Sequence, residues 1–362
     1  IDACLSIHGS EVKVQMDAID RKLLNMIQTE FPLVDTPFLE LANDLDLSEE
    51  EVLSRLTELK RQNVVRQIGA IFDTRKLGYK TTLVAFAFPE ELLHEGAMFI
   101  NQHPGVSHNY AREGSYYNLW FTIAVPPDHD LEDTIQFMYQ NTGATECRIM
   151  PTIKFFKIGV NFDMVNQKGL SHNYSPDGFS NTTAMQTWNK AQELSEKDRD
   201  VIRVLQEDIK LESRPYDGMA SELGMTTSEL FSKAKEYIDK TLMRRFSAVL
   251  HHRRSGFMAN AMVVWQVDEE QATEVGMKMA EHPAVTHCYQ RPTFPDWPYT
   301  HFTMIHATTK DECQGIADEI QELSGIENRL MLYSTREYKK TRVRYFVDDY
   351  DRFINAKNTI KG

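Results

Sequence analysis

The stretch QHPGVSHNYAR (102–112) sets His108, Tyr110 and Arg112 at alternate positions, and EHPAVTHCYQR (281–291) does the same with His287, Tyr289 and Arg291. Alternate residues of a strand share a face. Each stretch therefore predicts an imidazole, a phenol and a guanidinium lined up on one side of an extended segment. The recurrence also decides the fold, because matching segments surround it. AIDRKLLNMIQ (18–28) aligns with EKDRDVIRVLQ (196–206), and the segment TPFLELANDLDLSEEE onward (36–73) aligns with RPYDGMASELGMTTSE onward (214–251). The chain is one unit written twice, in diverged copies, and a repeat of this kind fixes the architecture.

Within each unit the apolar period changes once. Ile19, Leu23, Leu24 and Ile27, then Leu39, Leu41, Ala42 and Leu45, then Val52, Leu56 and Leu59 fall at helical spacing. Ser48 followed by Glu51 reads as a capping box opening the third helix. Three short helices with a turn at DLDLS predict a winged helix-turn-helix module. After Val65 the pattern runs in strands: VVRQIGAIFD, TTLVAFAF, NLWFTIAV and TIKFFKI, with helical stretches at 90–102 and 131–139. The second copy repeats this with NAMVVWQV, ATEVGMKMAEH, THFTMIHA, CQGIADEIQEL and MLYSTREYKK. The order strand, helix, strand, strand, helix, strand is that of a ferredoxin-like α+β sandwich.

The fold class is thus α+β, two tandem copies of a winged helix-turn-helix module plus a βαββαβ sandwich, paired as an intramolecular pseudo-dimer. Helix-turn-helix modules are expected over 16–66 and 191–246, and ferredoxin-like domains over 67–168 and 247–350. GLSHNYSPDGFSNTTAMQTWNK (169–190), rich in Ser, Asn, Gly and Thr, reads as a linker. His172 and Tyr174 repeat the motif's letters there without an apolar strand to support them, and the sequons at Asn173 and Asn181 read as incidental.

Composition narrows the function classes. The 362 residues allow two to three domains, and the formal net charge of -13, with 53 acidic against 40 basic residues, argues against nucleic acid as the main partner. No apolar run approaches a membrane span, and the first fifteen residues lack the basic lead and apolar core of a signal peptide. Cys4, Cys147, Cys288 and Cys313 show no ligand-like spacing, so no metal site is expected and a cytoplasmic location is. Nucleotide-loop, H-E-x-x-H and G-x-S-x-G signatures are missing.

A histidine exchanges protons near neutrality, and an arginine grips carboxylates bidentately. Taken singly, a strand His is often structural, a Tyr packs and an Arg is solvated. Aromatic residues nonetheless accompany both motifs, Tyr116, Tyr117, Trp120 and Phe121 in one half and Phe294, Trp297, Tyr299 and Phe302 in the other. Together they imply a large, flat, polycarboxylate ligand such as a tetrapyrrole. Arg66, Arg148, Lys154 and Lys157, with Arg244, Arg245, Arg336 and Lys339 in the second half, are candidates for its rim.

IDRKLLNMIQ, LANDLDLS and NVVRQIGAIFDTRKLGY resemble the Lrp/AsnC regulators, which join a DNA-binding module to a ferredoxin-like ligand-binding domain. VVRQIGAIFDTRKLGY with HNYAREGSYYNLWF and HCYQRPTFPDWPY resemble, more specifically, the sirohaem decarboxylases, built as two related subunits, Ahb A and B or Nir D and L. The resemblance covers Met16 to about Phe346, as if both subunits were fused. It implies loss of the acetate carboxyls on rings C and D of sirohaem, giving 12,18-didecarboxysirohaem and two CO2 for haem d1 or alternative haem synthesis. No cofactor is implied, iron entering only with the substrate. His108 and His287 are then the expected proton-transfer pair and Arg112 and Arg291 the carboxylate clamps. Tyr110, Tyr289, Trp120, Tyr117 and Trp297 would lie against the macrocycle. Axial ligation of the substrate iron by His108 or His287 is the alternative role.

SYYNLWF in one half faces TFPDWPYTHF in the other, with an added His301, so the two sides of the site should differ. A site centred on the first half's sheet is expected. The competing readings are a DNA-binding regulator sensing haem or an amino acid, and a tetrapyrrole carrier. Against the regulator, the candidate recognition helix opens with Glu49, Glu50 and Glu51. Further association between chains is left open.

Overall fold

The structure, a computed structural model, describes residues 16–158, 161–163, 168–170, 190–250, 259–350 and 353. His172, Tyr174 and both sequons lie outside the described residues. The first half opens with α1 (Ala18–Thr29), α2 (Pro37–Asp44) and α3 (Glu49–Arg61). Asp17 and Asp20 close a reciprocal cap on α1. Ser48 accepts the Glu51 N–H at the start of α3, but the Glu51 carboxylate turns to Arg55 instead of back to Ser48, so the expected capping box is half made. Val52, Leu56 and Leu59 form the buried stripe of α3.

The strands and helices that follow are β1 (Val65–Phe72), β2 (Lys80–Ala87), α4 (Glu90–Ile100), β3 (Val106–Glu113), β4 (Leu119–Val125), α5 (Leu131–Gln140), β5 (Glu146–Met150) and β6 (Lys154–Ile158). Two three-residue strands, β7 (Asn161–Asp163) and β8 (Lys168–Leu170), pair with each other. The second half repeats the plan: α6 (Glu196–Leu205), α7 (Pro215–Glu222), α8 (Thr227–Asp239), β9 (Met243–Leu250), β10 (Ala259–Trp265), α9 (Ala272–Glu281), β11 (Val285–Gln290), β12 (His301–Ala307), α10 (Lys310–Ser324) and β13 (Arg329–Lys340).

Each half forms the βαββαβ order, β5-β2-β4-β3 in one and β13-β10-β12-β11 in the other, and the two join through β3 and β13 into a nine-stranded sheet with β6 beyond β11. The fourth strand of the first sandwich is Glu146–Met150, not the TIKFFKI segment. That segment, after Pro151, crosses to the edge of the second half's sheet, where His287 sits opposite Ile158. β13 does both jobs unbroken: Arg329–Tyr333 pairs with β10, and Tyr333–Lys340 pairs with β3. Each half thus lends the end of its fourth strand to the other. The pairing of the two units inside one chain is built into the backbone.

The outermost strands, β5 and β6, are separated in sequence only by residues 151–153. The four Cα steps from Met150 to Lys154 span at most about 14 Å. The sheet must therefore curl until its ends meet. Helices α4 and α5 bury the outer face of the first half around Val84, Phe86 and Phe121, and α9 and α10 bury that of the second around Val263, Val285 and Ile305. On the inner face, Trp120, Trp297, Phe302, Tyr117, Met150 and Leu332 pack together. β1 and β9 pair antiparallel into a separate ribbon, and both helical modules share one core with it, including Phe31 against Phe38 and Phe246.

Candidate functional site

Between the curled sheet and the ribbon lies a cavity of about 430 Å³, lined by His108, Tyr110 and Arg112 from β3 and by His287, Tyr289 and Arg291 from β11. Its size falls in the small-molecule range of roughly 300–1,000 Å³. Both motifs face one chamber. It is not centred on the first half: β4 gives Trp120 and Thr122, β12 gives Phe302, Met304 and His306, and β9 closes it with Arg245, Ala248 and Leu250.

A β-bulge sits at the same place in both motif strands, between Val106 and His108 and between Val285 and His287. Bulges re-aim side chains. Here they let adjacent residues meet: Ser107 Oγ lies 3.1 Å from His108 Nδ1, and Thr286 Oγ1 lies 3.1 Å from His287 Nδ1. Nδ1 of each ring is thus engaged by its neighbour's hydroxyl. Each imidazole stacks on the tyrosine two residues on, at 6.3 Å and 6.0 Å between centroids, and each arginine lies over that tyrosine, at 5.4 Å and 5.0 Å. The two ladders are near copies.

Arg112 donates to the Leu332 carbonyl at 3.0 Å, and Arg291 donates to the carbonyl of Met150. These acceptors hold matching positions, since Leu332 pairs with Met262 and Met150 with Leu83. Each arginine is only 7% exposed, its Nε has no partner, and among the described residues neither has an ion pair. Burial lowers both to about 10. No Asp or Glu is among the described residues that line the chamber. In a chain of net charge -13, this is a buried chamber in which Arg112 and Arg291 have no acidic partner among the described residues. Removing a charge from water is costly unless it is paired, so such a chamber suits an anion.

The imidazoles answer to the same field. Burial, with the positive charges of Lys340, His287, Arg66 and Arg112, lowers His108 to about 3. Burial, with Arg244 and Lys340, lowers His287 to about 4. Both are therefore held neutral at neutral pH. A bound anion would offset these positive charges and favour the protonated rings.

Other candidates lie elsewhere. Tyr117 bonds Asp296 and packs edge-on against Trp297, and Trp297 packs on Trp120, so Tyr117 and Trp297 belong to the aromatic plug at one end of the chamber and do not line it. Trp120 does both, its Nε1 donating to the Tyr117 carbonyl at 2.8 Å. Arg148 pairs with Asp296 and Glu146. Lys154 bonds Thr273 over the Phe156 ring. Lys157 donates to the His282 carbonyl, and Lys339 makes the matching bonds to the Asn101 and His103 carbonyls, each tying a strand to the end of a helix. Arg66 holds Glu337 and the Lys340 carbonyl, and Arg244 holds Asp73. Arg66, Arg244 and His108 together line an adjoining cavity of about 510 Å³. Arg336 is exposed. Of the rim candidates only Arg245 reaches the main chamber.

The comparisons with known proteins agree with this arrangement. A family model described as an AsnC-like ligand binding domain matches residues 76–157 and 254–339, and one described as the "Siroheme decarboxylase NirDL-like HTH domain" matches 20–66 and 198–244. A siroheme decarboxylase of Hydrogenobacter thermophilus is 36% identical over 334 residues, covering 92% of this chain and 96% of the relative. The chain belongs to the sirohaem decarboxylase family. A family member from Methanosarcina barkeri, a beta subunit, is 43% identical over 151 residues, 42% of this chain and 99% of its own length. Half of this chain therefore corresponds to a whole subunit elsewhere in the family. The crystal structure of the sirohaem decarboxylase NirDL superposes with a TM-score of 0.71 at 31% identity, covering 95% of this chain and 99% of that one, and a second was solved with an iron-uroporphyrin III analogue (TM-score 0.70).

Sequence reasoning missed several chamber residues of this family member: His306, Lys340, Asn260, Met262 and Met304. Alternation along HFTMIHA could have found His306, since it shares a face with Phe302. The added histidine it did flag, His301, points the other way. His301 is fully buried, bonds the Ala272 carbonyl at 2.7 Å and stacks on Phe156, so it anchors α9.

Proposed function

We propose that the chain decarboxylates sirohaem, removing the acetate carboxyls of rings C and D to give 12,18-didecarboxysirohaem and two CO2, in haem d1 or alternative haem synthesis. One observation carries the reading: two buried guanidiniums without an ion pair and two imidazoles held neutral line one chamber, with no Asp or Glu among the described residues of its lining. Arg112 and Arg291 hold carboxylates, while Tyr110, Tyr289, Trp120 and Phe302 contact the macrocycle. The net step is R–CH2–COO⁻ + H⁺ → R–CH3 + CO2, twice. Protonation of the ring beside the acetate lets it take the electron pair of the breaking C–C bond. A proton placed on the exocyclic carbon then gives the methyl group, and the ring returns the first proton. His108 and His287, recharged in the presence of the anionic substrate, supply these protons from Nε2. The reaction needs no redox cofactor, and the iron belongs to the substrate.

The regulator reading has less support. The first turn of α3 carries Glu49, Glu50 and Glu51, which oppose a phosphate backbone. Anaerobic incubation with sirohaem, followed by mass spectrometry of the tetrapyrrole, tests the proposal. Loss of two CO2 is expected, and sirohaem bound but unchanged would leave a sensor or carrier.

A further inference from the structure

The two ladders are near copies, but the hydroxyl behind each imidazole leads to a different place. In the first half Ser107 Oγ lies 2.8 Å from Thr122 Oγ1, and the chain of polar contacts stays among hydroxyls. In the second half Thr286 Oγ1 is 3.1 Å from His287 Nδ1 and 3.3 Å from His306 Nδ1, and it donates to the Met304 carbonyl at 3.2 Å. The register shows what changed. His108 pairs with Thr122 and His287 with Met304, so Ala124 occupies the first half's place for His306. His306 lines the chamber, with Asn260 opposite it on β10 and the charges of Lys340 on β13, His287 on β11 and Arg112 on β3 around it.

Thr286 has one hydroxyl proton and three claimants. While it points at Met304, both rings carry their proton on Nδ1. Turned to His287, it makes that ring an Nε2–H donor while His306 keeps its own Nδ1–H. We propose that His306 is a positioning residue that sets the tautomer of His287 and resupplies its proton through the Thr286 hydroxyl, so that the two carboxylates of the substrate are handled unequally. This rests on the decarboxylase reading. The proton balance is closed: His306, which takes up its proton once the anionic substrate fills the chamber, releases Nδ1–H to Thr286 Oγ1, Thr286 passes its own proton to the neutral His287 at Nδ1, and His287 delivers Nε2–H to the exocyclic carbon as CO2 departs. His306 ends neutral, one proton having moved to product. The first half, with Ala124, has no such reserve.

The test follows both CO2 losses by anaerobic single-turnover mass spectrometry in wild type, His306→Ala, His306→Asn, Thr286→Val and Thr286→Ser, with sirohaem binding measured by absorbance titration. The relay predicts that His306→Ala, His306→Asn and Thr286→Val bind sirohaem, keep one loss near the wild-type rate and slow the other at least tenfold. Singly decarboxylated product then accumulates, and the slowed step loses its imidazole-like pH dependence. Thr286→Ser behaves as wild type. His306→Asn matching wild type, or both losses slowed alike, would overturn the relay. Loss of sirohaem binding in all three disabling variants would make His306 structural and overturn it too. Wild type that binds sirohaem and releases no CO2 fails the decarboxylase reading itself, and the relay with it.

Discussion

The strands β3 and β11 carry the same bulge, the same stacked imidazole and tyrosine, and the same tethered arginine, yet the residues behind them differ. His306 and Lys340 both come from second-half strands, and the first-half counterparts are Ala124 and Ile158 by register. What both copies keep is the His-Tyr-Arg ladder that lines the chamber, and what differs is the polar and charged surroundings behind it. A duplicated chain can hold a two-fold arrangement of clamps and still treat two carboxylates of one substrate differently.

The largest effect that could break this comparison is loss of the imidazoles. His108→Gln and His287→Gln should each slow decarboxylation by roughly 100- to 10,000-fold, the range of a lost general acid. Quenched-flow rates would show whether the two substitutions act on the same CO2 or on different ones. Equal, interchangeable effects would dissolve the distinction between the halves. Next come the clamps. Arg112→Met and Arg291→Met should weaken sirohaem binding by roughly 10- to 150-fold, as expected for about 1.5–3 kcal/mol of charged hydrogen bonding. In the same variants the empty protein should melt no lower than wild type, because an unpaired buried charge has gone. Scanning calorimetry beside binding titration separates the two.

The helices and the repeat were legible because apolar period and turn residues are local properties, whereas the pairing of the halves was implied by the resemblance to two-subunit relatives. The two ladders were legible because alternation is also local. The short strand Glu146–Met150 was not, since five residues of mixed pattern cannot be told from a loop, and the crossover after Pro151 depends on a partner edge far away in sequence. Tyr117 and Trp297 have the composition of a ligand wall, but facing strands press them into a plug. Lys340 becomes a chamber residue only because β13 extends across both sheets.

A smaller effect is predicted from pH. Folding holds His108, His287 and His306 at about 3 to 4, below the ordinary value near 6.5. The unfolded chain therefore takes up protons first as pH falls, and stability drops progressively from about pH 6.5 towards 4, with no change from these groups above about 7.5. Urea midpoints of the empty protein at pH 7.5, 6 and 5 should decline, and His306→Ala should flatten the decline. The smallest expected effect is at Gly105, where an added Cβ would lie 1.8 Å from the Ala124 carbonyl, whereas the second half has Ala284 at this position. Gly105→Ala should shift the first bulge and lower the rate several-fold through His108, read from initial rates.

The central claim is that two halves make one site. Equilibrium titration of the chain with sirohaem under anaerobic conditions, in wild type, Arg112→Met and Arg291→Met, tests it directly. One tetrapyrrole per chain, bound more weakly by either variant, is the predicted result. Two per chain, or a variant that removes one binding event and leaves another untouched, would contradict it.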